Sequence, residues 1–377
     1  MKDVLGIIYT TKEDVAMGKL TEMRAAAALP VVGRYRMIDF MLSNMVNSGI
    51  RNIGIIVQKN YHSLMGHLGS GQEWNLHTKS DGLLVMPPFT RGNKGDYNGT
   101  LGALQSNLEF LSTNIDQEYV LLTSGYGAFT TTYNAMLKQH KETNADVTVM
   151  YINDYKDDIP LDKNTTPHTY FDVGEDGTIR DIQIGASDPG YRGFSMSVMI
   201  FNRERLIRLL DYARSHNMRE MHQDLLKYCI ESNQHKVMGF EYKDYYRCVE
   251  CIAGYFQFNM DMLDSDLRRV MFKNFVYTRV QDEVPVKYGD HAVCQNSLVA
   301  DGCIIEGTVI NSIIGRGVRI YPGAVVKNSV IMQQCRIYEG VELNYVILDK
   351  LVAVRGHNLS GVKELPYVAP KGARFLD

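Results

Sequence analysis

"IGRGVRIYPGAVV", residues 314–326, sets Ile314, Ile320 and Val326 six residues apart, with Gly317 and Gly323 between them. The same interval separates Val299 from Ile305 and Ile337 from Leu343, and further glycines fall at 302, 307 and 340. A six-residue recurrence of aliphatic positions with small turn residues is the signature of a parallel β-helix, in which each turn buries one aliphatic side chain per face. The shared register favours this solenoid over a run of antiparallel hairpins. Some hexapeptide solenoids transfer acyl groups, but no inserted loop within these repeats carries a histidine that could act as the base. The module is expected to serve stacking and oligomerisation.

Working outward toward the N-terminus, the period changes. Val4 to Tyr9, Ile53 to Val57, Tyr119 to Thr123 and Val147 to Ile152 are short runs rich in β-branched residues or tyrosine, bounded by polar or glycine signals. Helical stretches lie between them: Leu101 to Leu111, with Leu104, Leu108 and Leu111 on one stripe, and Tyr133 to His140. Strands alternating with amphipathic helices predict an α/β domain whose mostly parallel sheet is covered on both faces. The organisation read from these patterns is an α/β domain over 1–262, a linker over 263–290 and a β-helix over 291–377.

At 377 residues the chain is too long for one ordinary core, in line with that division. Lys plus Arg number 40 against 43 Asp plus Glu, so no basic excess exists to hold nucleic acid or an anionic membrane. Lys2, Asp3, Lys12, Glu13 and Asp14 surround the first apolar run, the pattern of a core strand rather than a signal peptide. With no apolar stretch near the roughly 18 residues of a membrane span, the expectation is a cytoplasmic protein. Six cysteines show no disulfide framework, and Cys248-Val249-Glu250-Cys251 lacks the second ligand pair of a structural zinc site, so buried structural thiols are expected.

In "EYVLLTSGYGAF" (118–129) an apolar strand runs into a polar loop, and in α/β sheets ligands bind in the crevice at the carboxyl ends of strands. This loop offers Tyr126 there and no metal-binding carboxylate.

The combination of the two domains with "LTEMRAAAALPVVGRYRMIDFMLSNMVNSGI" (20–50), "HLGSGQEWNL" (67–76), "VMPPF" (85–89), "NGTLGALQSN" (98–107), "SMSVMIFN" (195–202) and "NMDML" (259–263) resembles the ADP-glucose pyrophosphorylase (glucose-1-phosphate adenylyltransferase) family over nearly the whole chain. The resemblance implies a Rossmann-like, GT-A-like nucleotidyltransferase domain with a mixed, mostly parallel sheet, followed by a left-handed parallel β-helix.

It also marks where active members keep their chemistry, and there this sequence departs. The glycine-rich phosphate turn falls on Thr10 to Met17, with Ala16 at its arginine and with Glu13 and Asp14 bringing negative charge to a site for phosphates. The lysine of the following motif is Ala26. The two aspartates that hold Mg²⁺ between the phosphates fall on Tyr126 and Cys248, and the lysine that meets the sugar phosphate falls on Gly185. Removing one preorganised electrostatic group costs about 10²- to 10³-fold in turnover, so the joint loss implies a noncatalytic member with no cofactor of its own, Mg²⁺ being expected only in a catalytic partner.

Gln58, Gly99 and Thr100 match base-contacting positions and predict a residual nucleotide pocket. The plainer reading keeps Thr100 as a helix N-cap and Gly99 as a turn. Arg34 and Arg36, in "VVGRYRMIDF", match a basic stretch that meets anionic effectors at the domain junction, with surface arginines or inter-domain ion pairs as the plain alternative. The implied function is that of a regulatory subunit assembling with a catalytic ADP-glucose pyrophosphorylase subunit, as a heterotetramer, in glycogen biosynthesis, with homo-oligomers and small anionic effectors also anticipated. The alternatives are an active sugar-phosphate nucleotidyltransferase with a rearranged site and a stand-alone sugar or nucleotide sensor.

Overall fold

The α/β domain is built on a strand with no polar face: Val4–Thr10 is buried along its whole length, which requires cover on both sides. In a computed structural model, which describes all residues except 11–15, 59, 78–81, 89–96, 98, 113–115, 156–166, 187–188 and 377, that strand (β1) is central. The other main strands are β2 (Asn52–Val57), β3 (Leu83–Met86), β4 (Tyr119–Ser124), β5 (Val147–Asn153), β6 (Thr169–Val173), β7 (Ile179–Ile184), β8 (Gly193–Asn202) and β9 (Val237–Glu241).

Strands β1 to β4 are parallel in the order β3-β2-β1-β4. Beyond β4 the direction reverses, because β8 pairs antiparallel with both β4 and β5, and β9 then joins β5 in parallel. The sheet is therefore mixed, as the resemblance implied. Burying a side chain such as Ile7, Ile8 or Ile55 completely contributes about 1.5–3 kcal/mol, and these strands carry many of them.

The stretch Leu101 to Leu111, expected as one helix, is two: Gly99–Ser106 and Leu108–Ser112. Asn107 divides them, its side chain donating to the Ala103 carbonyl at 2.8 Å while its backbone N–H bonds Leu104 O. An amide side chain that competes for helix carbonyls in this way is a recognised helix breaker.

The C-terminal region forms three parallel sheets whose strands recur once per turn, the hexapeptide β-helix expected from its spacing. Ile305, Ile320, Ile337 and Val354 stack in one sheet, Val309, Val326 and Leu343 in the second, Ile314, Ile331 and Leu348 in the third, all buried. One corner carries a ladder of amides: Asn296 donates to Asn311 (2.8 Å), Asn311 to Asn328 (3.4 Å) and Asn328 to Asn344 (2.9 Å). Asn296, Asn311 and Asn328 take φ of 42–47°, a left-handed turn that asparagine tolerates better than most residues. Beside them Ser297, Ser312 and Ser329 each accept the N–H one turn further on.

The two domains share a core. Ile313, Val330, Met332 and Ile347 of the solenoid belong to the same buried cluster as Leu20, Leu29 and Val31. Across this junction Arg24, 3% exposed, is paired with the fully buried Asp349.

Candidate functional site

Two short strands decide where the expected metal positions lie. Gly127–Ala128 pairs antiparallel with Arg247–Cys248, with Gly127 opposite Cys248, and Val249 N–H donates to Tyr126 O at 3.1 Å. Tyr126 and Cys248 are thereby brought together on the wall of one cavity, together with Thr100, at the carboxyl ends of β1 and β4. The two positions at which the family resemblance expects metal-binding aspartates are therefore neighbours in this fold.

The cavity encloses about 50 Å³. Pockets that hold drug-sized ligands run to roughly 300–1,000 Å³. Its described lining supplies Glu220, Glu250, His168 and His222 as ionisable groups other than tyrosine and cysteine, and neither lysine nor arginine. Phosphates need such cations. Magnesium asks for oxygen ligands in octahedral array, mainly carboxylates, and a phenol and a thiol at positions 126 and 248 do not fit it. No step through Mg²⁺ follows from this chain.

The remaining expected positions are scattered. Ala26 is 4% exposed in the short turn Ala26–Ala28 and Ala16 is partly buried. Neither lines the cavity. Residues 11–15, which include Glu13 and Asp14, lie outside the described residues. Gly185, at φ 71°, donates its N–H to His168 O and so belongs to the turn supporting one wall. Gln58 is half-buried at the end of β2 and is absent from the cavity lining.

Thr100 is not an N-cap: it sits within the first turn of its helix, and its hydroxyl donates to Glu220 Oε2 at 3.1 Å. Gly99 is required by the fold, because at its φ of 75° an added Cβ would lie 2.4 Å from Arg219 O.

The CxxC is divided between two tasks. Cys248 faces the cavity, whereas Cys251 turns away to cap the helix Ile252–Asp261, its Sγ accepting from Gly254 N–H at 3.4 Å. Sequence reasoning passed over His168 and Glu250, which the fold sets beside Cys248: one ligand atom from each of the three lies within 4.8 Å of the others, and all three residues are buried. Only the Glu250-x-Cys248 spacing was visible in the sequence.

A second site forms where the domains meet. The hairpin of Pro30–Val31 and Tyr35–Arg36 turns at Val32 and Gly33, both with positive φ, and presents Arg34 and Arg36 to a cavity of about 170 Å³. Arg279, Arg316 and Lys350 join them, with Glu283 as the one carboxylate on the described wall. Arg36 is anchored by donating to Ser63 O (2.7 Å) and Oγ (3.1 Å), and Arg316 to Gln281 Oε1 (3.0 Å). Burial lowers the Arg36 pKa to about 10. Burial, with Arg36 and Arg24 nearby, holds Lys350 near 7, far below an ordinary lysine. Arg36, Arg316 and Lys350, partly or wholly withdrawn from water and joined by the exposed Arg34 and Arg279, are a site for an anion.

The mixed sheet, its strand-end cavity and the solenoid packed against it define the class as a sugar-phosphate nucleotidyltransferase fold. Residues 17–265 match the family described as nucleotidyl transferase, and residues 283–364 the GlmU-like C-terminal hexapeptide. Within that class the chain belongs to the ADP-glucose pyrophosphorylase, or glucose-1-phosphate adenylyltransferase, family. It is 31% identical over 372 residues to "Glycogen biosynthesis protein GlgD" of Bacillus subtilis (strain 168), covering 98% of this chain and 96% of the relative. It is 30% identical over 343 residues to the glucose-1-phosphate adenylyltransferase of Clostridium perfringens (strain 13 / Type A), covering 89% of this chain and 85% of that one. Among the described residues no helix is long and apolar enough to cross a membrane.

Proposed function

We propose that this chain is a noncatalytic regulatory subunit in glycogen biosynthesis, acting in the cytoplasm with a catalytic glucose-1-phosphate adenylyltransferase whose output of ADP-glucose it modulates. The observation that carries this reading is the placement of Tyr126 and Cys248 together on one small cavity wall, where the family resemblance calls for two carboxylates. A phenol and a thiol in place of those carboxylates, on a described wall with neither lysine nor arginine, argue that the fold itself is the working part. An inactive protomer can still bias its neighbour's conformational equilibrium through a shared interface.

The cavity of Arg34, Arg36, Arg279, Arg316 and Lys350 supplies an input for such a subunit, since a small phosphorylated or otherwise anionic effector would be drawn to it. The test is co-expression with the glucose-1-phosphate adenylyltransferase of the same organism, followed by sizing and kinetics. Co-elution as a mixed tetramer, with altered turnover or effector response, is the expected result. Separate elution with unchanged kinetics, or ATP formation by the isolated chain from ADP-glucose and pyrophosphate, would defeat the proposal.

A further inference from the structure

The same cavity wall carries a donor set of another kind. Cys248 comes from the strand Arg247–Cys248, Glu250 lies two residues on, and His168 immediately precedes β6. Their ligand atoms lie within 4.8 Å of one another, and each residue is no more than 7% exposed. His168 Nε2 and Glu250 Oε2 stand 3.8 Å apart. That exceeds the roughly 3.2 Å limit of a good hydrogen bond and approaches the edge of about 3.5 Å expected for a tetrahedron of 2.0–2.3 Å zinc bonds.

Magnesium takes oxygen ligands and leaves thiolates and imidazoles aside, whereas one sulfur, one nitrogen and one oxygen donor suit zinc. The surroundings are aromatic. Phe194 meets the His168 ring edge-on at 5.1 Å, Tyr155 packs on Phe194 and Tyr246, and the Tyr155 hydroxyl accepts the Cys248 N–H at 3.0 Å. A hydrophobic shell of this kind limits the access of water. The adjoining space of about 50 Å³ has room for one or two waters, enough for a fourth ligand.

We infer that His168, Cys248 and Glu250 bind one Zn²⁺ ion, with a water in the fourth position, so that the wall vacated by the family's Mg²⁺ chemistry is held by a different metal. Binding requires the Cys248 thiol to lose its proton to solvent, and the bound ion balances the thiolate and carboxylate charges. The ion would join the segment ahead of β6 to the segment after β9 and so close one side of the cavity. This inference does not depend on the regulatory proposal, since it concerns metal content and not activity.

The experiment uses the full chain in a Cys294→Ser background, which removes the exposed thiol. Metal content after dialysis is measured by elemental analysis, Zn²⁺ affinity by competition with a chromophoric chelator, and ligation by the thiolate-to-metal absorption of the Co²⁺-substituted protein. One zinc per chain is expected. Cys248→Ser and His168→Gln should each weaken binding by more than about tenfold, the first also abolishing the cobalt–thiolate band, while Cys251→Ser leaves both intact. Zinc should also shield Cys248 from alkylation in the protein without either substitution, a readout that holds even if Cys248→Ser does not fold. Absence of stoichiometric zinc, alkylation of Cys248 at an unchanged rate when zinc is added, or a cobalt–thiolate band that survives Cys248→Ser but not Cys251→Ser would each overturn the assignment.

Discussion

Arg24 and Asp349, 325 positions apart in the chain, form an ion pair out of contact with water at the junction of the sheet domain and the solenoid. Removing one partner of a buried pair leaves an uncompensated charge and costs about 3–5 kcal/mol. Asp349→Ala and Arg24→Ala should each lower stability by that amount in urea denaturation. Arg24→Met with Asp349→Leu should recover part of it, since an apolar pair of similar size needs no counter-charge, while the Lys350 N–H that Asp349 Oδ1 accepts at 2.6 Å loses its partner.

Tyr126→Asp should not confer adenylyltransferase activity, and neither should Tyr126→Asp combined with Cys248→Asp. Two carboxylates would supply the pair that the family resemblance calls for, but Ala26 and Gly185 still stand where that resemblance calls for lysines, and the described cavity wall supplies no lysine or arginine. The check is pyrophosphorolysis of ADP-glucose by the purified variants, with turnover above that of the parent chain as the refuting result.

Sulfate binding in the junction cavity should weaken as pH rises through about 7, the value at which burial and the neighbouring guanidiniums hold Lys350. Sulfate does not titrate in this range, so the dependence reports on the protein. Loss of one charged contact should reduce affinity roughly tenfold, and Lys350→Met should flatten the profile. The sign for folding is opposite: between about 7 and the ordinary 10.5 the unfolded chain binds a proton that the folded chain lacks, so this group makes the fold more stable as pH rises across that window. Titration calorimetry and pH-dependent denaturation read the two effects separately.

Gly99→Ala should destabilise by about 2 kcal/mol or more, because it combines an unfavourable φ with a clash against the Arg219 carbonyl. Thr100→Val, which removes the hydroxyl contact with Glu220 from the same turn, should cost only about 1 kcal/mol. Equal effects in thermal melts would show that Gly99 is not conformationally required.

The solenoid was readable because each of its buried positions repeats locally, so Ile314, Ile320 and Val326 announce it without knowledge of the rest of the chain. The Asn-Ser dipeptides at 296, 311 and 328 were equally available and report the corner ladder. The reversal at β8 was not legible, since an apolar strand reads the same in either direction. Tyr126 and Cys248 could be located by counting from matched motifs, but His168 could not. It meets Cys248 only because β6 and the short strand pair converge on one cavity, a relation set by tertiary packing and by no local spacing. The cations beyond Arg34 and Arg36 were hidden for the same reason, arriving from the linker and the solenoid.

The core shared by Leu20, Leu29 and Val31 with Ile313, Val330 and Ile347 fixes how the two domains sit on each other. An anion entering among the arginines would therefore meet a rigid frame, and its influence would travel as altered charge and as small shifts of the 30–36 hairpin. Occupancy of that cavity would change the charge carried on a fixed surface, in the manner of a keyed lock and not of a lever.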